Sequence, residues 1–266
     1  MNTYQLKIIA IVAMLIDHIA AILISPYTNY WLYVSCRTVG RLAFPIFAFL
    51  IVEGFYHTSN VRNYLMRLGA FAVLSEIPYD LAFYHSNFGI DIITDIRGMF
   101  VSSESFASML DRLSIGQNVF FTLFLGLALI TFMDLTQEKY NQNNKKDIAI
   151  SNTIYGLLTV VFCLAAYLLK TDYGIAGILI FIAFYLFRGS NLLLVISIFV
   201  ISGTLLSDSM NFFRTGNFYD IISVFATFAV IPIAFYNGEK GKSVKYFFYL
   251  FYPVHLLCLY LLTLVL

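Results

Sequence analysis

LKIIAIVAMLIDHIAAIL, residues 6–23, is the stretch from which the rest of the chain is read. As a helix it extends about 27 Å at 1.5 Å per residue, close to the roughly 30 Å of a bilayer's hydrocarbon core. It is apolar all round except at Lys7, Asp17 and His18. The Asp17-His18 pair inside the apolar run, with no convincing small-x-small site after it, argues against a cleaved signal peptide. The whole chain has the same character. Of its 266 residues 60% are hydrophobic and 12% charged, and the mean hydropathy is +0.82. Soluble domains are about 25% charged, so this composition excludes a soluble enzyme, a disordered chain and a nucleic-acid binder. A net charge of +1 implies no bulk electrostatic partner. Cys36, Cys163 and Cys258 lie far apart, which gives neither a disulfide framework nor a zinc motif. His18, His57, His85 and His255 are dispersed, so no metal is expected.

Working outward, nine stretches are apolar enough to be spans: about 5–25, 31–55, 63–85, 118–136, 149–169, 172–188, 191–207, 219–237 and 245–266. The expectation is an all-α polytopic transmembrane helix bundle of about nine spans, a single domain over 1–266, in the cytoplasmic (inner) membrane. The sixth and seventh spans are short, joined at Arg188–Asn191, and form either a tight hairpin or incomplete crossings. With nine spans, ten lysines and arginines fall on one side and four on the other, which favours a cytoplasmic amino terminus. The loop at about 86–117 then lies outside as an insertion. It is either a solvated connector or a lid over an outward-facing site.

Ionisable side chains at membrane depth cost about 2.5–3.5 kcal/mol each on insertion scales and so must meet one another or water. They are Asp17 and His18 in the first span, Arg37 and Arg41 in the second, Glu53 near its inner end, Glu76 and Asp80 in the third, and His255 in the last. Arg37 and Arg41 are four apart and share a helix face, as do Glu76 and Asp80. Ion pairing of the two arginines with Glu76 and Asp80 is the economical expectation. Such pairs serve equally well as fold-specifying contacts without chemistry. A histidine beside an aspartate in an apolar helix suits proton transfer, with Asp17 or Glu76 as its orienter.

Lys7 and His18 are eleven residues apart, three helical turns to within about 20°, so they share a face about 16 Å apart along the axis. That spacing matches a long ligand with a phosphate-bearing head at the membrane surface and a reactive tip inside, the shape of a coenzyme A thioester. Ordinary snorkelling explains Lys7 alone just as well. Arg62, Arg67 and His57 would add phosphate contacts, unless Arg67 only pairs with Glu53.

Several segments carry a resemblance: LKIIAIVAMLIDHIAAIL (6–23), GRLAFPIFAFLIVEGFYHT (40–58), YLMRLGAFAVLSEIPYDLAF (64–83), NVFFTLFLGL (118–127), DYGIAGIL (172–179) and YNGEKGKSVKYFFYLFYPVHLLCLYLL (236–262). In these the chain resembles the TraX family over nearly its whole length. The resemblance implies an integral membrane acetyltransferase, founded on amino-terminal acetylation of pilin. The first helix also resembles the transmembrane acyltransferase pattern of a basic residue, ten others, then histidine. Lysine stands here where related families often have arginine, a point charge in place of a fork. Tyr252-Pro253-Val254-His255 is similar to the family's last-helix motif.

Three functions remain in view. The first is acetyl transfer from cytosolic acetyl-CoA to an amine or hydroxyl of an envelope acceptor, a pilin-like peptide or a glycan. There Lys7, Arg62, Arg67 and Glu53 bind the co-substrate, and His18, Asp17, Arg41 and Glu76 carry the chemistry. Arg37, Asp80, Asp172, Tyr173 and His255 meet the acceptor. An acyl-histidine intermediate is a variant of this mechanism. The second is a proton-coupled transporter or flippase, whose ion path would need the same buried charges. The third is an assembly subunit whose charges only lock helices together. The partners expected are the bilayer, acetyl-CoA and the acceptor, with no nucleic acid; a homo-oligomer is neither required nor excluded.

Overall fold

The computed structural model describes residues 1–88, 116–140, 144–242 and 245–265, and these are built of helices. In chain order they are α1 (Thr3–Leu23), α2 (Tyr30–Gly40), α3 (Ala43–Tyr56), α4 (Val61–Phe88), α5 (Val119–Lys139) and α6 (Lys145–Leu168). There follow α7 (Gly174–Leu186), α8 (Asn191–Leu205), α9 (Ser209–Thr215), a 3₁₀ helix (Phe218–Ala229), α10 (Val230–Ala234) and α11 (Lys245–Thr263). Most of the expected outer loop, residues 89–115, lies outside the described residues, and with it any lid.

By length and composition, five helical stretches among the described residues are fit to cross a membrane, or six if the pair α8 and α9, bent by 65°, is one span. The five are α1, α2 with α3, α5, α6 and residues 246–263 of α11. The other expected spans fall short of nine for separate reasons. The 28-residue α4 is long enough but carries Arg62, Arg67, Glu76 and Asp80 along its length, with Pro78 inside it. With 13 residues, α7 reaches only about 20 Å. The stretch 218–234 is short in residues, but twelve of them are 3₁₀. At about 2.0 Å per residue that segment and α10 together extend about 32 Å.

The expected second span is present over Tyr30–Tyr56, with a local change in its helical hydrogen bonding. Helix α2 ends at Gly40 and α3 begins at Ala43, and the backbone N–H groups of Arg41 and Leu42 turn back to Thr38 and Val39. The core is built from α3, α5 and α7, where Phe44, Ile46, Leu127, Leu129, Ile130, Ile178, Phe181 and Phe184 are almost wholly buried. Close approach needs small residues here. A methyl group on Gly126 would stand 2.3 Å from the Phe181 ring. Around this core α1 packs on α2, α3 and α11, and α4 packs on α5 and α11. Only 6% of the α6 span window is buried inside the protein, which suits a helix whose neighbour is lipid.

Two short connections place functional groups. Thr3 N–H donates to Glu239 O at 2.8 Å and Asn237 N–H to Met1 O at 2.8 Å. These bonds tie the 235–242 turn to the amino-terminal end of α1. Gln117 and Thr171 form an isolated parallel bridge, with Gln117 N–H donating to Lys170 O at 3.0 Å. Lys170 has φ of +50°, an uncommon conformation for a residue with a side chain. The bridge fixes Asp172 and Tyr173 beside the start of α5.

Candidate functional site

A cavity of about 560 Å³ runs between α1, α3, α4, α5 and α11. One end is cationic. Lys7, Arg67, Lys240 and Lys242 line it, with His57 and Thr58. These residues come from the amino-terminal ends of α1 and α4, the carboxyl-terminal end of α3 and the turn stitched to Met1. Aromatic rings interleave with the charges: the Lys7 ammonium lies 4.9 Å from the Phe248 ring centre and the Arg67 guanidinium 5.5 Å from that of Tyr64. Apolar walls follow, from Phe47, Leu50, Ile51, Leu68 and Leu123. The far end holds His18, Asp17, Arg37, Arg41, Asp172 and Tyr173. Lys7 and His18 therefore open on one cavity, in keeping with the helix face that their eleven-residue spacing gives them.

At the far end Asp17 accepts hydrogen bonds from Arg37 Nη1 at 2.7 Å and Arg41 Nη2 at 3.1 Å. The two arginines do share a face, but their carboxylate comes from α1. The expected pairing with Glu76 and Asp80 is not made. The helices meet so closely because α2 ends on glycine: a Cβ on Gly40 would stand 2.1 Å from Asp17 Oδ1. Asp17 thus ties two guanidinium groups into one wall of the cavity. Asp172 faces the same space with an exposed side chain. Tyr173 stacks on Phe44 with ring centres 3.8 Å apart.

His18 lies in the wall with its ring against Phe83, Tyr252 and His255. Its Nδ1 is 2.7 Å from His255 Nε2, and His255 Nδ1 is 2.7 Å from Phe251 O. His255 is 6% exposed and does not belong to the cavity wall. It stands behind His18 and so is not placed to contact an acceptor directly, as the sequence suggested.

Other expected site residues are redistributed as well. Glu76 is bound to the Asn118 side chain and backbone N–H, and Asn118 in turn caps α5 through Phe120 N–H and reaches Ala72 O. Glu76 and Asp80 are absent from the wall, and the Nδ1 of His18 is taken up by His255 rather than by either carboxylate. Glu53 forms a two-point pair with Arg188, at 2.8 and 3.2 Å, rather than with Arg67. That hydrogen bonding pushes the Arg188 pKa up from its ordinary value, and the pair leaves Glu53, at the cavity's edge, with its own cation. Arg62 is exposed and outside the wall. Its expected place is filled by Lys240 and Lys242. Nothing in the spacing of these two lysines tells that Met1 holds their turn over the cavity.

The family described as TraX protein matches residues 2–263. A probable fimbrial assembly protein FimC, serogroup H1, of Dichelobacter nodosus is 30% identical over 269 residues, covering 97% of this chain and 94% of that protein. No solved structure matches.

Proposed function

The chain belongs to the TraX family, and from that premise we propose that it is a membrane-embedded acetyltransferase. It takes an acetyl group from cytosolic acetyl-CoA to an amine or hydroxyl on an extracytoplasmic acceptor. The observation that carries this reading is the single cavity with a cluster of cations at one end and an imidazole at the other. Lys7, Arg67, Lys240 and Lys242 are the right chemistry for the phosphates of coenzyme A. The apolar middle suits its uncharged arm, and the thioester comes to rest by His18. In this orientation the amino terminus of α1 is cytosolic.

The chemistry is acyl transfer with a general base. The acceptor's nitrogen or oxygen attacks the thioester carbonyl while His18 takes its proton. The oxygen of the tetrahedral intermediate becomes negative next to Arg41, a fixed cation in a site sheltered from bulk water. Asp17 holds Arg41 and Arg37 in place and is a positioning residue rather than a base. Collapse breaks the C–S bond, and His18 returns the proton to the departing thiolate. Asp172, with Tyr173, lies where the acceptor approaches. The fimbrial assembly name of the relative makes a pilin-like peptide the acceptor to test first, with an envelope glycan second.

The test is transfer of label from radiolabelled acetyl-CoA to envelope membranes, or to a synthetic peptide with a free amino terminus, by the purified protein in liposomes. His18→Ala is expected to abolish transfer while the protein still inserts and folds. Full activity in that variant would reject His18 as base. Labelled solute uptake that needs no acyl-CoA would replace this reading with transport.

A further inference from the structure

We propose that His255 is the positioning residue for the transfer base: it holds His18 in the tautomer with Nδ1 protonated and Nε2 bare toward the cavity. The proposal deepens the acetyltransferase reading and rests on it for its catalytic consequence. The tautomer itself follows from three atoms. Phe251 O, 2.7 Å from His255 Nδ1, is a carbonyl and can only accept, so Nδ1 of His255 carries a proton. In a neutral ring that leaves Nε2 of His255 as a lone pair. This lone pair is 2.7 Å from His18 Nδ1, so His18 must donate from Nδ1. The neutral His18 ring then has its own lone pair on Nε2. That atom receives no hydrogen bond from the described residues, and His18 rather than His255 borders the cavity.

The surroundings hold the geometry. The two imidazole planes are within 8° of parallel. His255 is stacked on Phe251 at 4.9 Å and edged by Tyr252 at 5.7 Å. Among the described residues, Arg37 and Arg41 act electrostatically on His18; both are tied to Asp17, and Asp172 lines the same cavity. A neutral imidazole as orienter adds no further charge to this group.

Proton accounting fits the transfer. As the acceptor attacks, its N–H or O–H bond breaks, a bond to the acyl carbon forms, and the proton passes to His18 Nε2. The imidazolium keeps its Nδ1–H on His255 Nε2, whose ring passes the polarisation on to Phe251 O. When the C–S bond breaks, the Nε2 proton goes to the thiolate and the pair returns to its starting state. A proton taken up by the resting pair puts N–H groups on both of its outward nitrogens and silences the base, so the rate falls as the pH is lowered.

Two substitutions separate positioning from packing. His255→Phe keeps the ring stack but removes the acceptor; His255→Gln loses the ring but offers Oε1 in place of Nε2. The expectation is a fall in kcat of about 100-fold or more for His255→Phe, in line with loss of an orienting partner in other histidine bases. His255→Gln should recover to within about tenfold of the parent, and KM for acetyl-CoA should stay constant in both. A merely structural role predicts the reverse order. Nitrogen-15 spectra of histidine-labelled protein in liposomes read the tautomer without any turnover. They should show His18, assigned by its loss in His18→Ala, with Nδ1 protonated and Nε2 bare in the parent and in His255→Gln, but not in His255→Phe. A parent His18 protonated on Nε2, or a fully active His255→Phe beside a dead His18→Ala, overturns the positioning role alone. The expected spectra with no acetyl transfer by the parent would retain the tautomer and overturn its catalytic meaning together with the acetyltransferase reading.

Discussion

Asp17 is the residue on which the far end of the cavity depends. Its side chain is 12% exposed and faces guanidinium groups that are 16% and 17% exposed. Removing one partner of a buried ionic group is far worse than never having built it, because the remaining charge has no solvent to turn to. Asp17→Asn is therefore expected to lower stability by about 3 kcal/mol or more, measured by thermal unfolding in detergent. An unchanged unfolding temperature would mean that water already solvates Arg37 and Arg41. At Gly40 the constraint is volume. Gly40→Ala pushes a methyl group against the Asp17 carboxylate, and the expected cost is about 1–3 kcal/mol, again by thermal unfolding. That pair was legible in part from sequence. The i,i+4 arginines announced a shared face, but which carboxylate met them was set by the crossing of α1 over α2.

Between elements, the α4–α5 junction gives a sharper separation of structure from chemistry. Asn118 has its side-chain oxygen on Phe120 N–H and its amide on Ala72 O, and Glu76 closes the remaining contacts. Asn118→Ala is expected to cost about 1–2 kcal/mol as a lost cap. Glu76→Gln keeps a hydrogen-bonding side chain and lies outside the wall, so its kcat is expected to stay within a few-fold of the parent; a loss of 100-fold or more would return Glu76 to the catalytic set. The break at Arg41 and Leu42 belongs to this scale as well. Residues 31–55 read as one continuous apolar run, and such a run does not say where the helical hydrogen bonding shortens to the i to i−3 bonds of Arg41 and Leu42. Likewise the twelve-residue 3₁₀ helix has no periodic signature that separates it from an α-helix of similar composition.

Over the whole molecule, the cation cluster assembles from three places in the chain: Lys7, Arg67, and the turn that carries Lys240 and Lys242. The combined variant Lys7→Gln, Lys240→Gln, Lys242→Gln is expected to raise KM for acetyl-CoA by about tenfold or more, at roughly 0.5–1 kcal/mol per charge, with kcat little changed. Added salt should weaken acetyl-CoA binding to the parent more than to this variant; equal salt sensitivity would mean that the cluster does not hold the phosphates. Sequence alone determined that the chain is helical and lives in a membrane, because its composition leaves too few charges to cover a surface in water. It also determined that Lys7 and His18 share a face, because helical spacing is a local property. Which charge meets which partner, that His255 rather than a carboxylate stands behind His18, and that Lys240 and Lys242 reach the cavity were decided only by tertiary structure. The reason is physical: those pairings join residues 20 to more than 230 positions apart, and only the packing of whole helices brings such distant groups within hydrogen-bonding range.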